Sequence, residues 1–136
     1  MGRLSITQRI KKSNSIIRQV EIATEWHNTW GRKIENELNA VLEETKENDL
    51  SKVFNRINFC KIETDKYMNA LPNVFNVIEV KFSRYQEVKV IYFNFFNEIA
   101  KKLNTVSSHD VLSDLENFFK KHIEFCVEIK SILKSR

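Results

Sequence analysis

Proline and glycine are almost missing from this chain: 136 residues hold one Pro, Pro72, and two Gly, Gly2 and Gly31. That scarcity excludes folds that consume turn residues, the sandwich and the barrel among them, and leaves no Gly-rich loop to cradle a phosphate. Cysteine is scarce as well. Cys60 and Cys126 stand far apart among apolar neighbours, which argues against a disulfide scaffold and predicts a reducing, cytoplasmic location. No apolar run approaches the roughly 18 residues that a spanning helix needs, and no charged start leads into a secretory apolar core, so no transmembrane segment is expected.

What remains is a chain 42% hydrophobic and 29% charged, which at this length predicts one helical domain over residues 1–136. The formal charge of +4 is unevenly spread. Arg3, Arg9, Lys11, Lys12 and Arg18 all precede the first acid, Glu21, and make residues 1–18 a basic arm. The arm has three readings: a solvated helix face, a set of phosphate contacts, or a membrane-surface or organelle-targeting start. It has no helix-turn-helix pattern and no interleaved aromatics. Myristoylation at Gly2 is disfavoured because Ile6 stands where a hydroxyl residue is needed.

Turn chemistry divides the chain into four helical segments. Asp49 is placed as the N-cap of a helix starting at Leu50, and Pro72 as the first turn of another, because it lacks an amide hydrogen. Residues 105–110 read as a loop in which Ser107 and Asp110 have capping-box spacing. The first segment keeps Ile10, Ile17, Val20, Thr24, His27, Ile34, Leu38 and Val41 in register straight through Gly31. Unbroken from about residue 5 to 46 it would measure on the order of 60 Å, long enough to project or to meet another chain. A break at Gly31 would give five helices instead.

Leu50, Val53, Phe54, Ile57, Cys60, Tyr67, Met68 and Leu71 trace one face of the second segment. In the third, Val74 to Leu103 form a face that Val90, Ile91 and Phe93 widen, so this helix should be the most buried, with a short strand at 88–91 as the competing assignment. The last segment has the clearest stripe, from Leu112 and Leu115 through Phe118, Phe125 and Ile129 to Leu133. The fold expected is all-α: an antiparallel bundle of four helices, or five if the first breaks at Gly31, with the third and fourth segments at its centre.

Catalytic patterns fail one by one. His27, His109 and His122 follow Thr24, Val106 and Phe119 by three residues, so no Glu-x-x-His pair exists for a di-iron bundle. No Arg is followed after four to six residues by His, and no nucleophile elbow or zincin motif is present. His122 and Cys126, four apart, could share zinc with Cys60 and His27, but without diagnostic spacing two buried thiols and a partly exposed His122 are the simpler reading. No catalytic residue, cofactor or metal is therefore assigned, and an enzyme is not expected.

Trp26 and Trp30, spaced i,i+4, form one patch that belongs to the core or, if outside it, offers the best protein-binding anchor. The acidic turn of Glu43, Glu44, Glu47 and Asp49 opposes the helix dipole and suits a basic surface elsewhere. The function expected is a non-catalytic protein-binding module using exposed helix faces: an inhibitor, adaptor or accessory factor, of a kind that would suit a phage or mobile element. The partner is then another protein, with a homo-oligomer through the long first helix as a further option. The alternative is a nucleic-acid-binding accessory protein acting through Arg3, Arg9, Lys11, Lys12 and Arg18.

Overall fold

A computed structural model describes residues 4–47, 50–105 and 108–135. Helices account for 88% of it: α1 (Ile6–Lys11), α2 (Ile16–Lys46), α3 (Leu50–Val77), α4 (Tyr85–Thr105) and α5 (Ser108–Lys134). No strand occurs among the described residues, so 88–91 is helix. Helix α2 packs along α3 and α5, α4 closes the ring between α3 and α5, and α1 lies against α2 and α3. The all-α bundle is as expected, but its hub is α2 and not the third and fourth segments. Within the first segment α2 runs unbroken through Gly31.

The first segment breaks elsewhere, at residues 12–15, between two helices that each start on a serine cap. Ser5 caps α1 in a reciprocal box with Gln8, its hydroxyl accepting from the Gln8 amide while the Gln8 side chain accepts from the Ser5 amide. Ser15 caps α2 by accepting from the Arg18 amide at 3.3 Å, and the Gln19 side-chain amide donates to the Ser13 carbonyl at 2.8 Å. The bend destroys the expected register. Ile10 stays fully buried while Ile17 is 74% exposed.

Pro72 does not begin a helix; it lies inside α3. A proline there deprives the carbonyl four residues back of its donor. That carbonyl belongs to Met68, and the Tyr85 hydroxyl donates to it at 2.5 Å, so the loss is made good from α4. Helix α3 stops after Val77 in a Schellman turn: the Val80 amide donates to the Phe75 carbonyl at 2.9 Å, the Glu79 amide to Asn76 at 3.2 Å. Glu79 takes the left-handed position at φ 57° that glycine usually fills. Phe75 and Phe82 meet edge to face at 5.6 Å across the turn.

The core is continuous from Ile10 through Ile34, Leu38, Leu71, Ile99 and Leu115 to Leu133, all at or near zero exposure. Helix α4 is less buried than its composition suggests. Val90 and Phe93 are 52% and 55% exposed, and on α3 Phe54 is also exposed, because one helix can turn only one stripe inward. Of the acidic turn, Glu44 meets Arg56 of α3 at 3.0 Å, and Arg56 also reaches Glu37 at 3.7 Å. The caps expected at Asp49 and Ser107 lie outside the described residues.

Candidate functional site on helices α2 and α5

Helices α2 and α5 run antiparallel and come together where Gly31 meets Cys126. A Cβ added to Gly31 would lie 3.2 Å from the Cys126 sulfur, so the residue with no side chain sits where the helices need the space. Two histidines fasten the crossing reciprocally. His27 of α2 places Nε2 2.8 Å from the Cys126 carbonyl, and His122 of α5 places Nε2 3.1 Å from the Gly31 carbonyl. Each ring thus grips the opposite helix one turn beyond the other's own position.

These carbonyls fix the tautomers. A carbonyl can only accept, so Nε2 carries the hydrogen in both rings and Nδ1 of a neutral ring is bare. The Tyr67 hydroxyl donates to His27 Nδ1 at 2.5 Å, and the Tyr92 hydroxyl to His122 Nδ1 at 2.7 Å. Burial pushes both imidazoles below their ordinary pKa, partly offset by the carbonyl bonds, and lifts both tyrosines well above theirs. With every ring nitrogen engaged, neither histidine has a lone pair for a metal or for proton abstraction. They are clamps linking α3 through Tyr67, α2, α5, and α4 through Tyr92.

His122 is therefore buried, at 1% exposure, and not partly exposed as its surroundings in sequence suggest. The Cys126 sulfur lies 3.6 Å from its Nε2, while Cys60 is on α3 with no exposure. Among the described residues no three His, Cys, Asp or Glu side chains gather as a metal site. Burial raises both thiols to about 12.

Above the clamps the α2–α5 seam is open to solvent as two shallow clefts, in line, each of about 420 Å³. Cys126, Ile123 and Val127 line one, over Gly31 and His27. Ile16, Ile17 and Val20 line the other, with Glu21 and Glu25 on the α2 rim and Lys134 on the α5 rim. Ile16, Ile17, Ile123 and Val127 are 51%, 74%, 40% and 65% exposed. Sequence periodicity assigned Ile17 to the core and passed over Ile16, Ile123 and Val127. The available signal was their spacing outside the buried stripe of each helix.

Trp26 and Trp30 come together, but on the other flank of α2. Both are half-buried against the core and sit 5.3 Å and 6.4 Å from the Tyr67 ring, with the Lys33 ammonium 4.9 Å from Trp30. The basic arm is divided by the bend at 12–15. Arg9, Lys11 and Lys12 lie exposed on and just after α1, whereas Arg18, on α2, turns to Glu21 at 3.0 Å and Glu25 at 3.7 Å. Arg3 lies outside the described residues. No helix among the described residues is long and apolar enough to cross a membrane.

Comparison with known proteins finds no match to a family model, to a curated protein or to a solved structure.

Proposed function

We propose that this chain is a non-catalytic protein-binding module, an inhibitor, adaptor or accessory factor, that engages its partner through the open α2–α5 seam. The observation that carries the reading is the run of exposed apolar side chains along that seam: Ile16, Ile17, Ile123 and Val127. Apolar area left in water along a concave groove is what protein partners cover, at about 25 cal/mol per Å² removed. The clamped helices beneath supply a stiff platform, which reduces the ordering cost of association.

The test is affinity capture from the native host, with nuclease present, using wild type and an Ile17→Glu/Val127→Glu variant. A partner protein retained by wild type and lost by the folded variant is expected. Equal retention by both would remove the seam from the account. The second reading, nucleic-acid contact through the arm, is favoured by Arg9, Lys11 and Lys12, exposed and without an ion pair among the described residues. Binding of that kind would weaken steeply with salt through counterion release, and charge reversal at these three positions would abolish it.

A further inference from the structure

We propose that the occupant of the α2–α5 seam is a second copy of this chain, packed face to face about a two-fold axis along the seam; this rests on the reading that the seam binds protein. The argument is charge complementarity between its own two rims. On the α2 rim Arg18 is shared between Glu21 and Glu25, which leaves a surplus negative charge. On the α5 rim Lys130 and Lys134 have no ion pair among the described residues, although Lys134 lines the same cleft as both glutamates.

A half-turn about an axis along the seam keeps each residue at its own level and exchanges left for right. It lays α5 of the second copy over α2 of the first, so the partner's lysine rim faces Glu21 and Glu25, twice over by symmetry. The same operation brings the partner's exposed apolar residues over the clefts. From Ile17 to Glu35 the seam is about 27 Å long at 1.5 Å per residue. Across two helices spaced about 10 Å apart it presents roughly 500 Å² per copy, hence about 1,000 Å² in total. That meets the lower bound for a specific interface, roughly 1,000 Å².

The test uses two full-length variants, one with Glu21→Lys and Glu25→Lys, the other with Lys130→Glu and Lys134→Glu, with folding checked by circular dichroism. Sedimentation equilibrium at about 100 μM should show wild type as a dimer and each variant alone at least tenfold weaker, because like charges then face each other. An equimolar mixture of the two variants should recover the dimer, since each acidic rim then meets a basic one. Val127→Glu, a single exposed change, should also give monomer. A monomeric wild type, variants that dimerise like wild type, or a mixture that stays monomeric would each overturn the proposal. If wild type is monomeric while Ile17→Glu/Val127→Glu still loses its host partner, the seam binds a different protein, and only the second copy is refuted.

Discussion

Acid should unfasten the bundle through His27 and His122, and the effect follows from their hydrogen bonds. Protonating either ring puts a hydrogen on Nδ1, where a tyrosine hydroxyl already donates. The tyrosine must then turn its proton elsewhere, into a core in which Tyr67 and Tyr92 are almost wholly buried. No carboxylate bonds either ring; the neighbouring titratable groups are Tyr67 from α3, Tyr92 from α4, Cys126 and Lys130 from α5, Glu35 beside the same cleft on α2, and the two rings themselves, and on His27 the charge of His122 and then that of Lys130 add repulsion. Both histidines therefore titrate below the ordinary imidazole value of 6.5 in the folded state. Between that value and the lower folded one, the unfolded chain binds more protons, so stability is complete above 6.5 and falls as pH drops.

Where folded and unfolded chains differ by a whole proton at a ring, the slope reaches its limit of about 1.4 kcal/mol per pH unit, or roughly 2.7 for the two together. That is large against the 5–15 kcal/mol of an ordinary domain. Glu63, held below its ordinary pKa mainly by its Lys33 hydrogen bond, loses stabilisation only at lower pH, as it is protonated below the usual 4.5, so the window just under 6.5 belongs to the histidines. Urea unfolding at half-unit steps from pH 7.5 to 5 measures the slope, and a His27→Gln/His122→Gln variant should flatten it. A wild type whose stability is level across that range, or a double variant with the same slope, would refute the clamp.

Tyr92→Phe should cost about 1–3 kcal/mol, because it leaves Nδ1 of buried His122 without a donor, and chemical denaturation reads the loss. Gly31→Ala sets a helix-propensity gain of up to about 1 kcal/mol against a Cβ pressed on the Cys126 sulfur; adding Cys126→Ala should release the pressure and leave the double variant more stable than Cys126→Ala alone. Glu79→Gly should raise the melting temperature, by relieving a left-handed residue worth about 1 kcal/mol.

The long amphipathic stripes were legible because burial and helical period coincide in them: Ile34, Leu38 and Val41 on α2, Leu115, Phe118 and Ile129 on α5 are buried as their spacing requires. Pro72 misled because its rescue is tertiary. Nothing near it in sequence announces that Tyr85 will reach the Met68 carbonyl. The bend at residues 12–15 is written in the sequence, as Ser5 with Gln8 and as Ser13 and Ser15, but the apolar register runs straight through it and hides it. His27 did appear in the α2 stripe, yet its partner carbonyl lies ninety-nine residues away on α5, a pairing only the crossing creates. The exposed residues of the seam escaped for the opposite reason: period places a side chain on a face, and whether another helix covers that face depends on the packing of the whole bundle.

The central claim, that the open α2–α5 seam takes a protein, is tested most directly by placing a photo-crosslinking amino acid at Val127 and, as a control, at Glu116, which is exposed on the same helix. Irradiated in the native host, the Val127 protein should yield a discrete protein adduct that the Glu116 protein does not. Equal labelling from both positions, or adducts to nucleic acid alone, would contradict it.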